Sequence, residues 1–376
     1  MKFSVQRDQF IKMLSRAQGI VEKKSTIAVL SHLLLETDGD SAIKLTCTDY
    51  DVVLMDRCPA QVEKEGRAVI GGKTLYDVMK VLPSVDVKFS KESGERIIID
   101  AGNTNYVLSG ADPDDFPRIE KDDEEPSFTV PISTFRKMLA KTAFCMSQEE
   151  ARLNLNGILF DLREETDGMT FICVATDGHR LAKVERLLAG KEPPVDLENG
   201  IIVHRKGITE VRKIIDSETG DVSIGFASGE VVFRAGNAAL YVREIDEEYP
   251  DYTSVIPSGF ESEFAVDGPE LIEGMRRVLP LTDPNVLTVK MAVEPEKLII
   301  SSANPQTGSG QTSVYADFSG TPFSVGFNHR YLLDSASAVE APQLVFRFTD
   351  PGAPCLLEPS DPDEGLVYVL MPIDES

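Results

Sequence analysis

One turn holds the side chains best placed to do chemistry: Thr176-Asp-Gly-His-Arg180, entered from the apolar run Phe171 to Ala175 and left through Leu181. An Asp close to a His is the raw material of an acid–base pair or a metal site. The chain does not supply the rest of either. Its histidines are at 32, 179, 204 and 329, with no H-x-x-x-H pair and no carboxylate cluster. Cysteines 47, 58, 145, 173 and 355 are scattered without a C-x-x-C pair, which argues against structural zinc and a disulfide framework and fits a reducing cytoplasm. No catalytic residue, metal or cofactor is therefore expected. Thr176, Asp177 and Gly178 are turn formers: Gly accepts positive φ, and Thr and Asp bond nearby backbone. The turn presents His179, Arg180 and Leu181 together at a sheet edge. The other stretch of similar character is the tail, Leu366-Val-Tyr-Val-Leu-Met-Pro-Ile373. The expectation is that the two stretches meet at one surface site.

The elements that must position this site come from a repeat. Three segments begin alike, Phe3-Ser-Val, Phe128-Thr-Val-Pro and Phe264-Ala-Val, each a short strand leading into an amphipathic helix. In the second helix of this kind Phe135, Met138, Leu139, Thr142 and Ala143 share one face; Phe10, Leu14 and Ala17 do so in the first, and Leu271, Met275, Val278 and Leu279 in the third. A further helix recurs within each segment: Lys73 to Lys80, Lys206 to Lys213 and Arg330 to Ser337 align on a basic residue, an apolar residue two on and an acid four on. Apolar runs around Gly-containing turns supply strands between and after the helices. The expected unit is β-α-β-β-β-α-β-β-β, roughly 120 residues in length, which is within ordinary domain size. The connectors Asp112 to Pro126 and Glu247 to Ser262 are acidic or Pro-containing, and place domains at 1–125, 126–258 and 259–376. No run of about 18 apolar residues occurs, and the first residues lack an apolar signal core.

The net charge of −24 repels nucleic acid at long range, but its distribution matters more than its sum. The expected helices carry Lys12, Arg16, Lys73, Lys80, Lys141, Arg205, Lys206, Arg212, Lys213, Arg276 and Arg277, with Lys73 and Lys80, Arg205 and Arg212, and Lys206 and Lys213 each seven apart on a shared face. Acids crowd into loops such as Asp122 to Glu125, Glu244 to Glu248 and Asp361 to Glu364. Three such units in an arc would put basic helix faces on the concave side and acid on the rim. The third unit is the weakest, because Asp267, Glu270 and Glu273 offset Arg276 and Arg277.

The chain resembles the bacterial DNA polymerase III beta subunit, the sliding clamp, over its full length. The resemblance rests on Met1-Lys-Phe, Asp114-Asp-Phe-Pro117, Leu155-Asn-Gly157, Ala175-Thr-Asp-Gly-His-Arg-Leu181, Arg205-Lys-Gly207, Tyr249-Pro-Asp-Tyr252, Gly326-Phe-Asn328 with Tyr331, and Tyr368-Val-Leu-Met-Pro372. It implies an α+β DNA-clamp fold of three similar domains in an arc. Two chains would join head to tail in a six-domain ring, helices inside and sheets outside. It implies a non-enzymatic, cytoplasmic processivity factor that encircles duplex DNA without sequence specificity, associates with the nucleoid during replication, is loaded by a clamp loader and tethers the replicative polymerase and other replication and repair proteins.

Carried over by this resemblance, the peptide groove uses Leu155, Thr176, Gly178, His179, Arg180, Leu181, Pro250, Val255, Asn328, Tyr331, Val369, Leu370, Met371, Pro372 and Ile373. Leu, Val and Met make an adaptable apolar pocket, and His179, Arg180 and Asn328 would supply orienting hydrogen bonds. For DNA the resemblance points to Lys24 and Arg152, with Lys73, Lys141, Arg205, Lys206 and Arg277 on helices, all contacting phosphate. Ring closure is expected to bring Tyr106 and Leu108 of one chain against Pro280 and Leu281 of the next. Two departures bear on peptide preference: Ser254 stands where the family has Arg, and the chain ends Asp374-Glu-Ser376. The competing readings are an enzyme built on Asp177 and His179 and a repeat scaffold with no nucleic acid.

Overall fold

The computed structural model describes residues 1–21, 27–91, 94–121, 127–166, 168–188, 200–227, 229–361 and 365–373. They form two compact units, 1–136 with 206–244 and 137–205 with 245–376. The units do not follow the repeats, because the middle repeat gives its last three strands to one unit and Gly157–His204 to the other.

In the first unit an eight-stranded antiparallel sheet runs in the order Arg67–Gly71, His32–Asp38, Ala42–Thr48, Val52–Pro59, Ala238–Ile245, Glu230–Ala235, Asp221–Ala227, Ser127–Pro131. Its first four strands belong to the first repeat and its last four to the second. The seam pairs Val52 with Val242 and Met55 with Ala239. A second sheet holds Gln61–Lys64, Lys2–Gln6, Asp86–Lys91, Arg96–Ala101 and Thr104–Ala111. Among the described residues, the outer edge of Thr104–Ala111 is paired only at Gly110 and Ala111.

The second unit repeats the device. Its large sheet runs Ile201–His204, Gly157–Glu165, Gly168–Thr176, Arg180–Leu187, Leu366–Leu370, Cys355–Pro359, Gln343–Phe348, Ser262–Asp267. Here the seam pairs Arg180 with Leu370 and Val184 with Leu366. The remaining sheet has four strands, Phe323–Asn328, Thr288–Glu294, Lys297–Asn304 and Gly308–Val314, the last being an edge.

The repeat is also visible in the packing. The leading Phe of each repeat stacks on a Phe of a strand that follows the repeat's second helix: Phe3 on Phe89 (4.7 Å), Phe128 on Phe226 (6.1 Å) and Phe264 on Phe346 (4.8 Å). Helix Arg7–Ala17 buries Phe10, Met13, Leu14 and Ala17, and helix Gly268–Val278 buries Leu271, Met275 and Val278, the spacing of one apolar stripe. Each repeat carries more strand between its helices than the sequence pattern indicates. The additional strand (Arg67–Gly71, Ile201–His204 or Phe323–Asn328) runs straight into the helix with no turn residues to mark it.

Candidate peptide groove and charged helix faces

The turn at 176–179 is held by its own side chains. Asp177 Oδ1 accepts from the backbone N–H groups of His179 and Arg180 (both 3.0 Å), and Thr176 Oγ1 accepts from Gly178 N–H (3.1 Å) and donates to the Arg180 carbonyl (2.7 Å). Gly178 has φ of +87°, a conformation that suits glycine. A Cβ there would also sit 3.0 Å from Arg152 Nη1. The turn's far side is the tail: Met371 N–H donates to the His179 carbonyl (3.0 Å), and Ile373 N–H donates to the Gly326 carbonyl (2.8 Å).

Arg180 is the hub. Its guanidinium donates to Asp177 Oδ2 (3.1 Å), Asp334 Oδ2 (2.8 Å) and the Phe144 carbonyl (2.6 Å), and lies over the Tyr331 ring at 4.4 Å. Burial opposes this charge, yet the carboxylates of Asp334 and Asp177 hold its pKa above the ordinary arginine value. Burial and the Asp177 carboxylate push the Tyr331 phenol up as well. His179 stacks on Tyr331 with ring centres 6.1 Å apart. The turn, the tail and the first turn of helix His329–Ala338 thus share one cluster within the second unit.

The connector closes one wall. Tyr252 packs with Leu159, Ile172, Val174, Leu181, Ile202, Leu356 and Val369, and Tyr249 and Ile256 pack against them. Tyr249 Oη donates to the Val174 carbonyl (3.5 Å), and burial drives its phenol pKa far up. Asn154 Nδ2 donates to the Glu248 carbonyl (3.2 Å), tying the 153–155 turn to the same connector.

Exposure sorts the residues named from sequence. Met371 (44 %) and Val255 (48 %) are exposed apolar side chains, and Pro250, Gly178 and His179 are exposed beside them. Leu155, Leu181 and Val369 are buried and form the floor. Leu370 is a correction. Strand alternation turns it, with Tyr368, away from the face that carries Val367, Val369 and Met371. Tyr368 points to the opposite layer, where its Oη donates to the Lys141 carbonyl (2.9 Å). Asn328 Oδ1 is occupied in capping the following helix, accepting from Arg330 N–H, so it is a weaker orienting group than its residue type indicates. Sequence reasoning did not assign Phe144 and Asp334 to this site, since both reach it only through Arg180. The tail's last residues, 374–376, lie outside the described residues.

The residues named for DNA divide similarly. Lys24 lies outside the described residues. Lys141 is a second correction: it is 4 % exposed, three residues from buried Met138 on the same helix flank, and cannot reach a phosphate. Arg152 lies on the groove turn, donating to the Asp177 carbonyl (3.3 Å) and pairing with Glu149 (3.1 Å). Lys206 pairs with the buried carboxylate of Asp49. Other helix cations are neutralised too: Arg16 by Asp56 and Glu218, Lys12 by Glu218, Lys213 by Glu210, Arg276 by Glu273. Lys73, Lys80, Arg212 and Arg277 are exposed and hold no partner among the described residues. Arg205 is half-buried. Tyr106 and Leu108 are half-exposed on the edge strand Thr104–Ala111. Leu281 Cδ1 lies against Gly310 on the edge strand Gly308–Val314, with Pro280 exposed beside it.

Three like modules spliced through shared sheets, with the 176–180 turn and the tail meeting on a seam, are the architecture of a clamp-type scaffold. Family models for the DNA polymerase III beta subunit match along the chain: the N-terminal domain over residues 1–120, the central domain over 129–251 and the C-terminal domain over 253–374. The beta sliding clamp of Caulobacter vibrioides is 35 % identical over 99 % of this chain and 100 % of its own. The Caulobacter crescentus clamp, solved with polyethylene glycol bound at a putative beta-motif tethering region, superposes with a TM-score of 0.92 at 34 % identity over 100 % of this chain and 99 % of that one. The Bartonella birtlesii clamp, solved bound to griselimycin, gives 0.93 at 30 % identity over 100 % and 99 %. The chain belongs to the DNA polymerase III beta subunit family, the bacterial sliding clamps. It is a three-domain clamp of DNA replication, a processivity factor and not an enzyme.

Proposed function

We propose that two copies close head to tail into a ring around duplex DNA, in the cytoplasm, and that the seam groove of the second unit holds the replicative polymerase and, in turn, the clamp loader and other replication and repair proteins. Three domains, 1–125, 126–258 and 259–376, are the working division, each supplying half a sheet on either side. The observation that carries the ring is the state of the two incomplete sheets. At both internal seams the third strand after a repeat's first helix pairs with the last strand of another repeat. Among the described residues, two strands of those kinds remain without a seam partner, Gly308–Val314 and Thr104–Ala111. Joining them between chains would repeat the seam and place Leu108 and Tyr106 near Leu281 and Pro280. Unpaired edges invite such pairing.

DNA contact falls to Lys73, Arg205 and Arg277, joined by Lys80 and Arg212, and is to phosphate without base readout. Lys206 acts less, being bound to Asp49. The groove is read as floor Leu155, Leu181 and Val369; rim Met371, Pro372, Ile373, Val255 and Pro250; and a polar end of Thr176, Gly178, His179, Arg180, Tyr331 and Asn328. A short peptide with two apolar anchors would bind at about micromolar, roughly −8 kcal/mol. The Bartonella relative is bound to griselimycin, and competition between griselimycin and a groove peptide is an expected outcome for this chain. Gel filtration with light scattering tests the ring: a dimer is expected, and a strict monomer at all concentrations overturns it.

A further inference from the structure

The groove turn has a twin in the first unit. Thr48-Asp49-Tyr50-Asp51 repeats three side-chain bonds of Thr176-Asp177-Gly178-His179. Thr48 Oγ1 accepts from Tyr50 N–H (2.9 Å), and Asp49 Oδ1 accepts from Asp51 N–H (3.0 Å) and Val52 N–H (2.8 Å). Tyr50 has φ of +77° where Gly178 has +87°. Each turn feeds the strand that makes its unit's seam, so Val53 opposite Tyr241 stands where Leu181 opposite Val369 stands. The connectors also match: Phe116-Pro117 takes the place of Tyr249-Pro250, and the ring of Phe116 is buried.

The floor differs in chemistry. Where the second unit has Ile172 and Val174, the first has Lys44 and Thr46, in the same register against the neighbouring strand. The result is a trough rather than an apolar slot. Two adjoining cavities of about 450 and 350 Å³ share Lys44, Ile119 and Glu120 in their walls. The bottom is apolar: Met55, Ile119 and Ala239 pack on Val53, Val232 and Tyr241. Lys121 and Arg234 lie over the Tyr241 ring at 5.1 and 5.5 Å. Lys44 and Arg118 hold no partner among the described residues, whereas Lys121 pairs with Glu230 and Arg57 with Asp38. Against these cations the walls set Glu36, Asp114 and Glu120, and Asp114 is paired with Arg67. Among the described residues the walls carry six cations against three carboxylates, a local excess of positive charge in a chain of net charge −24.

We propose that the trough is a second peptide-docking site, taking an acidic segment of a partner protein with an apolar side chain at its centre. Charge complementarity selects the segment, and the Met55–Ile119–Ala239 floor takes the anchor. The proposal borrows its geometry from the groove reading of the second unit but concerns different residues, so the two fail separately.

The probe is a short fluorescein-labelled peptide of Asp and Glu around a central Phe-Leu pair, followed by anisotropy with the full-length protein. With Met371→Ala and Val255→Ala in place to remove the seam groove's own hold on the Phe-Leu pair, saturable binding is expected at low salt, weakened at least about tenfold by adding Lys44→Glu with Arg118→Glu. Arg118→Glu alone, on the exposed connector, gives a second reading if the double variant unfolds. The proposal is overturned by the absence of saturable binding or by full affinity in the charge-reversed variants. It also fails if no binding remains once Met371 and Val255 are both Ala, or if, in that background, a peptide lacking the Phe-Leu pair binds equally well.

Discussion

Arg180 satisfies four groups at once: two carboxylates, one carbonyl and the face of Tyr331. A lysine cannot reproduce the fork or the stacking. Replacing it by Ala leaves the Phe144 carbonyl and Oδ2 of the mostly buried Asp177 without this donor, while Asp177 Oδ1 keeps its backbone N–H bonds, at a cost of about 2–3 kcal/mol, discounted because Asp334 is half exposed. Urea unfolding of Arg180→Ala measures it. Met371 and Val255 are the apolar side chains a peptide meets first, so Met371→Ala with Val255→Ala should weaken a polymerase-derived peptide at least about tenfold while leaving stability within about 0.5 kcal/mol. The thiols make an independent check. Burial raises the pKa of each of the five cysteines, that of Cys58 to about 11. Thiolate is the reactive form, so none should react with Ellman's reagent at pH 8 until the protein is unfolded. Residue type in the sequence was enough to nominate His179 and Met371. It was not enough for Lys141, whose aliphatic stem follows the apolar stripe of Met138 and Thr142 under cover, nor for Leu370, whose face is set by strand alternation.

At the scale of elements, the two matched turns invite reciprocal changes. Tyr50 holds a left-handed backbone that costs an L-residue roughly 1–2 kcal/mol. Tyr50→Gly should therefore be neutral or stabilising by up to about 1 kcal/mol, after the entropy that glycine loses on folding. Gly178→Ala should destabilise by about 1 kcal/mol and displace Arg152, weakening the peptide with little effect on dimerisation. Thermal melts and peptide titrations of the pair separate the effects. The helices and hairpins were readable because their signals are local: the stripe of Phe135, Met138 and Leu139, or the turn at Asp38-Gly39. The seams were not. Nothing local in Val52–Met55 says that it pairs with Ala239–Val242, nearly half the chain away, and both strands read equally well as edges.

At the scale of the molecule, the proposed ring joins the strands Thr104–Ala111 and Gly308–Val314 of neighbouring chains. Leu281→Asp, set against Gly310, should turn a dimer into a folded monomer in light scattering while leaving groove peptides bound. The strongly acidic chain must hold DNA by enclosure rather than by charge, because many of its helix cations are already paired. That separates a clamp from an ordinary basic DNA-binding protein, and it yields a direct test. Labelled protein is loaded by its clamp loader onto a nicked circular duplex, the DNA is cut once, and the fraction still bound is followed by gel filtration. Retention on the circle at a salt concentration that abolishes simple charge attraction, with release on linearisation, is the result expected of encirclement. Equal retention on circle and line, or none on either, would contradict it.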